Sequence, residues 1–167
     1  VTIRVAPALL DRARTPEEML AIPEEELATL LSPATFAETK ARHIRQISAL
    51  LLERHGGCVP SDARALRALP GVGPKVANIV LATAFHQPAI AVDIHVHRIT
   101  RRWGYTDAPT PEKTEEQLRA KLPREYWVEI NERLVPFGKF VCTGQRPRCN
   151  DCPLLTLCRQ VGVADHR

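Results

Sequence analysis

A lysine and an aspartate stand out as residues that could carry covalent chemistry. Lys75 lies in the run Leu69-Pro-Gly-Val-Gly-Pro-Lys-Val-Ala-Asn78, and Asp93 follows it by eighteen residues. Pro74 is typical of a first helical position, which places Lys75 in the first helical turn, where the helix dipole disfavours a cation. A lysine partly desolvated there carries more of the neutral amine that attacks an electrophilic carbon. The alternative is an exposed surface lysine, the commonest situation for this residue type.

Asp93 stands within the alternating apolar run at residues 89–96. We interpret this run as an extended segment that enters a helix, since the sequence offers no partner strand. An aspartate at that position is expected to cap the helix. The same carboxylate could stabilise positive charge that develops on a substrate carbon, and the two roles are compatible. Asp93 is therefore the second candidate catalytic residue.

Four of the five cysteines form a cluster with the spacing C-x6-C-x2-C-x5-C: Cys142, Cys149, Cys152 and Cys158. Arg4 and Pro7 interrupt the N-terminus, so we expect no secretory signal, and a dense cysteine cluster then favours metal over disulfides. Structural zinc usually uses two C-x2–4-C pairs, and only one pair here has that spacing. Four thiolates in one short loop could also hold a cubane iron–sulfur cluster. The spacing alone leaves both metals open.

The glycine turn before Lys75 is suited to an anion. Gly71 and Gly73 permit a tight turn and close approach to the N–H groups that begin the next helix. A plain helical hairpin is an equally good interpretation of the glycines. Residues 61–167 carry 16 Lys and Arg against 11 Asp and Glu, a net charge of +5, whereas residues 1–60 carry 7 against 8, a net of −1. This asymmetry favours a polyanionic partner, although a solvated basic surface would show it too.

The hydrophobic pattern predicts an all-α protein of about seven helices with no membrane-spanning segment. Thr15 to Glu18 forms a capping box, and Pro23 separates two short helices. The apolar run at 76–85 predicts a buried central helix. The other helices are predicted at 40–54, 61–69, 110–122 and 126–137, with a loop at 138–167 held by the cysteines.

Three motifs in this order, LPGVGPKVAN, AVDIHVHR and the four-cysteine spacing, resemble the endonuclease III family of DNA glycosylases/AP lyases. The resemblance covers essentially the whole chain and implies the all-α helix–hairpin–helix DNA glycosylase fold. It implies an incomplete six-helix barrel at 16–104 with the hairpin at 61–85. Residues 1–15 and 105–167 would form a cluster-bearing domain, whose loop at 142–158 holds a [4Fe–4S] cluster rather than zinc.

The resemblance also implies a bifunctional enzyme of base excision repair. Its partner would be double-stranded DNA containing oxidised pyrimidines or abasic sites. Lys75 matches the family's Schiff-base lysine and Asp93 its essential aspartate. We expect a cytoplasmic, nucleoid-associated monomer from a bacterium or archaeon. The expected DNA-binding residues are Leu69, Gly71, Val72 and Gly73 in the hairpin, His95 and Arg98 after Asp93, and Lys139, Arg146 and Arg148 around the cluster loop.

Two related branches fit less well. The adenine-mismatch glycosylases have a similar cluster but no lysine at the position of Lys75, and the 8-oxoguanine glycosylases have a comparable lysine but no such cysteine loop. The chain departs from the family at Ile94, where threonine is usual, and we expect an upstream segment to be missing before Val1. A non-catalytic DNA-binding remnant and a zinc-stabilised interaction module are the alternatives of other classes.

Overall fold

The computed structural model describes residues 2–167, with side chains from Val5 onward, and every regular element within that range is helical. The all-α prediction is confirmed. Short 3-10 turns lie at Arg124–Tyr126 and Leu155–Leu157. The α-helices of the described residues are α1 (Thr2–Arg12), α2 (Pro16–Ala21), α3 (Glu24–Leu30), α4 (Ala37–His55), α5 (Ala63–Arg67), α6 (Pro74–Phe85), α7 (Ile94–Arg102), α8 (Pro111–Lys121) and α9 (Glu129–Phe140).

The chain divides into two compact units, residues 1–73 and residues 74–167. The first unit is built around α1 to α4. The buried residues of its core lie in these helices and directly after them: Val5, Ala13, Ile22, Leu27, Leu31 and Ala41. Arg45 of α4 donates to the carbonyls of Leu20 and Ile22, which end α2. The predicted grouping of residues 1–15 with 105–167 in one domain stays a prediction, and Val1 lies outside the described residues.

Local capping signals set the helix boundaries of this unit. The Thr15 side chain accepts from Glu18 N while the Glu18 carboxylate accepts from Thr15 N, so the predicted capping box is confirmed. Pro23 separates α2 from α3, as expected. The predicted helix at 61–69 is shorter, because Asp62 is the N-cap of α5 and accepts from Ala65 N at 2.8 Å.

A tight turn at residues 69–73 follows α5. Leu69 is buried, and Val72 N donates to Leu69 O at 3.2 Å. Gly71 has φ +73°, a left-handed conformation that favours glycine. The ring of His43, from α4, lies directly against Gly71, and a Cβ added at Gly71 would overlap His43 Nδ1. Both the backbone and the neighbouring imidazole therefore require glycine here.

The second unit has a core formed by α7, α8, α9 and the chain that enters α7. Its buried side chains are Ile90, Val92, Val96, Ile99, Leu118 and Leu134. Burial on α6 is confined to one face, with Ala77 and Leu81 buried but Val76 42% exposed, so the prediction of an all-round buried helix is wrong.

Within the described residues, no helix is both long and apolar enough to cross a membrane.

The last long helix begins later than predicted. Residues 124–126 form a 3-10 turn after Pro123, and Trp127 Nε1 donates to Leu122 O at 2.9 Å. This side chain ties the turn to the end of α8, so α9 starts at Glu129 rather than Tyr126 and runs on to Phe140. The helix has the predicted length but is shifted by three residues, and it ends two residues before Cys142.

The Gly71–His43 contact gives a stability prediction. Gly71→Ala should lower the free energy of unfolding by at least about 2 kcal/mol, because a left-handed alanine is strained and its methyl group would overlap His43. Gly73→Ala is the matched control: its φ is not in the positive region and a Cβ there meets open space. Chemical denaturation of both variants checks this. Equal stability of the two variants would contradict the packing described.

Candidate active site and cysteine cluster

The two oxygens of Asp93 have different contacts. Asp93 is the N-cap of α7, and its Oδ1 accepts from His95 N and Val96 N, both at 2.9 Å. Its Oδ2 lies 4.0 Å from Lys75 Nζ. The expected capping role is therefore seen directly, and the second oxygen remains available to a cation. The Asp93 side chain is only 11% exposed, which fixes it in place.

Lys75 lies in the first turn of α6, as the proline signal predicts. Its side chain is 48% exposed, so the desolvation expected from the sequence is only partial. A separation of 4.0 Å is too long for a hydrogen bond, so electrostatic attraction orients the amine without locking it. The pair thus presents a solvent-accessible amine beside a nearly buried carboxylate. This is an arrangement for attack on an electrophilic carbon with a negative charge alongside.

His95 and Arg98 lie on α7, and their polar contacts are with other residues of this chain. Arg98 Nη2 donates to Gly138 O at 3.0 Å and to Cys142 O at 2.9 Å, and it lies 3.0 Å from His95 Nδ1. His95 packs so closely on α9 that a Cβ at Gly138 would stand 2.5 Å from its Nδ1. Arg98 therefore ties the end of α9 to α7. Its expected role in DNA binding stays a prediction.

His97, which the sequence places in the same cationic stretch, is buried between α7 and α8. Its Nδ1 lies 2.7 Å from Thr114 Oγ1, and that hydroxyl donates to Thr110 O at 3.0 Å. Because the hydroxyl proton is used, we assign the His97 proton to Nδ1. Burial, and then the charge of Arg101, lower the pKa of His97. This histidine is neutral at neutral pH and contributes no positive charge to the surface.

The four clustered cysteines line one narrow cleft that is partly open to solvent. None of them forms a disulfide. Trp103, Phe137 and Val163 supply apolar walls, and Arg102 reaches the cleft from α7. Burial raises the pKa of the Cys149 thiol, and the three neighbouring cysteines raise it further. The structure therefore brings together the four residues that the spacing singles out.

N–H groups point at two of these sulfur atoms. Arg102 Nη1 lies 3.4 Å from Cys142 Sγ, and Gln160 N lies 3.4 Å from Cys158 Sγ. Arg102 also donates to Thr143 O at 2.6 Å and to Gly144 O at 2.8 Å, which fixes the start of the loop. Among the described residues, no three His, Cys, Asp or Glu side chains converge on a point that would hold one metal ion.

The loop cations expected to bind DNA differ in their surroundings. Lys139 and Arg148 are exposed. Arg146 is exposed too, but it pairs with Asp165 at 2.9 Å and has φ +41°. In the other unit, the hairpin residue Leu69 is buried, whereas Gly71 is exposed and Val72 and Gly73 are half-buried.

Sequence reasoning missed three residues that the structure draws attention to. Asn78 donates to Ile90 O at 2.8 Å, and Asn131 donates to Ala91 O at 3.0 Å. Phe36 precedes α4 in a left-handed conformation, φ +58°, with 80% of its surface exposed. No sequence pattern signals the asparagine contacts. An aromatic residue in a polar linker before a helix is a weak signal that could have pointed to Phe36.

Comparison with known proteins bears on this site. The profile described as "HhH-GPD superfamily base excision DNA repair protein" matches residues 1–124. Endonuclease III of Thermotoga maritima is 43% identical over 157 residues, which cover 94% of this chain and 74% of that protein. Endonuclease III of Bacillus subtilis is 42% identical over 160 residues, covering 94% and 72% respectively. The chain belongs to the endonuclease III family.

Solved structures of the endonuclease III family agree with this assignment. A trapped endonuclease III–DNA covalent intermediate, an estranged-adenine complex, matches with a TM-score of 0.87 and 39% identity, covering 93% of this chain and 74% of that one. A non-covalent endonuclease III–DNA complex matches with a TM-score of 0.87 and 40% identity, covering 93% and 73%. Endonuclease III enzymes are DNA glycosylases/AP lyases of base excision repair, and this chain shares their fold.

Proposed function

We propose that this chain removes oxidised pyrimidines from double-stranded DNA and cleaves the strand at the resulting abasic site. Lys75 is the nucleophile and Asp93 its electrostatic partner. The observation that carries the proposal is the 4.0 Å approach of Lys75 Nζ to Asp93 Oδ2, on a carboxylate whose other oxygen is held by the start of α7. A lysine that is only part of the solvated surface is not expected to lie beside a nearly buried carboxylate such as that of Asp93.

The chemistry follows from that pair. The damaged nucleotide leaves the base stack, which exposes C1′ of its sugar. The Lys75 amine attacks C1′, and the bond to the base breaks with its electrons on the base. Asp93 stabilises the positive charge that develops at the sugar and at the lysine nitrogen. The lysine nitrogen then loses a proton, and the C1′–O4′ bond breaks with its electrons on O4′, which gives an imine at C1′. This imine makes the C2′ proton acidic, and removal of that proton expels the 3′ phosphate by β-elimination.

The presence of an amine at this position favours the bifunctional activity over base removal alone. A monofunctional glycosylase activates water and needs no amine within reach of C1′. Here the amine is half exposed and adjacent to the carboxylate, so it can reach a bound substrate without rearrangement of α6. The family's solved structures include a covalent endonuclease III–DNA intermediate, which is the species that such an amine would form.

Each unit offers DNA-binding groups of its own in this proposal. Gly71 to Gly73 offer backbone N–H groups to a phosphate, without any side-chain charge. Lys139, Arg148 and Arg146 add sequence-independent attraction, with Arg146 first releasing Asp165. Phe36 is exposed enough to stack on a base or fill a gap in the stack.

We further propose that Cys142, Cys149, Cys152 and Cys158 hold a [4Fe–4S] cluster, as endonuclease III relatives generally do. In support, the four cysteines share one apolar-walled cleft and form no disulfide, and N–H groups approach two of the sulfurs. A [4Fe–4S] cubane is held by four cysteine thiolates, and the chain offers four cysteines around this cleft. When bound, the cluster would hold residues 142–158 in one shape.

Borohydride trapping tests the nucleophile. The wild-type chain should form a covalent adduct with a duplex that contains an oxidised pyrimidine. Lys75→Ala should form none, because Lys75 is the amine that pairs with Asp93 among the described residues. Lys113→Ala is the matched control, since Lys113 is exposed on α8 and pairs with Glu116 at 2.9 Å. An adduct of undiminished yield with Lys75→Ala would reject Lys75 as the nucleophile.

Metal analysis tests the cluster. Protein purified without air should be brown and contain about four iron atoms per chain. Cys158→Ala should lose most of this iron, whereas Cys58→Ala, at an exposed cysteine of the other unit, should retain it. Zinc in place of iron in the wild-type protein, or equal iron in the two variants, would reject the cluster assignment.

A further inference from the structure

Two asparagines hold the stretch of chain that delivers Asp93 to Lys75. Asn78 lies on α6 three residues after Lys75, is buried, and donates from Nδ2 to Ile90 O at 2.8 Å. Asn131 lies on α9 and donates from Nδ2 to Ala91 O at 3.0 Å. The two amide groups therefore come from different helices and bind consecutive carbonyls.

The held stretch has no regular structure of its own. Residues 86–93 are neither helix nor strand, and Ile90 and Ala91 are buried. A buried carbonyl that lacks a donor costs about 1–3 kcal/mol, so these side-chain donors decide which path the chain takes between α6 and α7. Apolar burial of Ile90 and Val92 sets the depth of the segment. The hydrogen bonds set its position along α6 and α9.

We propose that Asn78 and Asn131 are positioning residues that set the separation of Lys75 and Asp93. The contacts form a closed ring. It runs from Lys75 to Asn78 along α6, from Asn78 to Ile90 through a hydrogen bond, and from Ile90 to Asp93 along three residues of backbone. It closes where Asp93 Oδ2 faces Lys75 Nζ at 4.0 Å. Asn131 braces the same segment from α9.

The expected effect of the asparagines on the reaction rate rests on the proposed function. Their expected effect on the position of Asp93 does not. Loss of a donor would let residues 90–93 shift, and Asp93 with them. A displacement of about 1 Å at a reacting pair can cost up to about 100-fold in rate. DNA binding should be spared, because neither asparagine lies in the glycine turn at 69–73 or among the exposed cations near the cysteines.

Amide hydrogen exchange tests the positioning directly. The N–H groups of His95 and Val96 are held by Asp93, so Asn78→Ala should accelerate their exchange by at least about fivefold. The internal control is Lys113 N, which is held by Thr110 Oγ1 at the start of α8 and should not change. Thr83→Ala, an exposed substitution on the same helix as Asn78, is the control variant and should leave both caps unaffected.

Single-turnover kinetics test the consequence. Asn78→Ala should slow adduct formation on a preformed abasic site by between about 10- and 100-fold, while the Kd for the same duplex changes by less than about threefold. Asn131→Ala should act in the same direction, and Asn131→Gln, which keeps an amide donor, should recover part of the rate. If Asn78→Ala does not fold, the comparison of Asn131→Ala with Asn131→Gln, at a half-buried position, decides whether the side-chain amides position Asp93.

The outcomes distinguish the positioning role of the two asparagines from the proposed function of the chain. Faster exchange at His95 and Val96, with a slower reaction and unchanged Kd, supports the positioning role. The positioning role is overturned if exchange at His95 and Val96 is unchanged, or if exchange is faster but adduct formation keeps its rate. It is also overturned if DNA binding weakens by the same factor as adduct formation slows. If the wild-type chain forms no adduct at all, the proposed function fails, and the exchange measurement still decides whether the asparagines place Asp93.

Discussion

One carboxylate makes two kinds of contact on which the rest of the structure depends. Asp93 Oδ1 accepts two backbone N–H groups and so begins α7, while Oδ2 faces Lys75. Because the cap satisfies N–H groups that would otherwise lack a partner, folding itself fixes the carboxylate. The negative charge is therefore in place before any substrate arrives. Such preorganised charge is the usual source of electrostatic stabilisation in enzyme sites.

The helix that Asp93 begins also anchors the cysteine loop. α7 packs on α9, and its arginines reach the carbonyls at the start of the loop, Arg98 to Cys142 O and Arg102 to Thr143 O and Gly144 O. The same helix thus positions the proposed charge at one end and a proposed metal ligand near the other. In the first unit, His43 and Gly71 fix the hairpin turn by close packing.

Local chemistry explains why much of this could be predicted from the sequence. The Thr15 capping box, the break at Pro23, the start of α6 at Pro74 and the cap at Asp93 each depend on residues within a few positions of one another. The cysteine spacing likewise predicts one shared cleft, which the structure contains. The family assignment rests on motifs of this local kind.

The features that could not be predicted depend on contacts between residues far apart in the sequence, which local spacing does not encode. Asn131 bonds to a carbonyl forty residues away, and His43 packs against a glycine twenty-eight positions later. The sequence placed His97 in a cationic stretch, but packing against Thr114 makes it a buried neutral residue. The partial exposure of Val76 and Lys75 also follows from packing alone. No periodicity could have distinguished these cases.

The most direct measurement compares Asp93→Asn with Asp93→Ala for both stability and single-turnover base removal. Asparagine caps a helix about as well as aspartate, so Asp93→Asn should change the free energy of unfolding by less than about 0.5 kcal/mol, whereas Asp93→Ala should lower it by about 1 kcal/mol. Both variants should lose about 100-fold or more in rate, because both lack the negative charge beside Lys75. A wild-type rate with Asp93→Asn would contradict the account, as would equal losses of stability in the two variants.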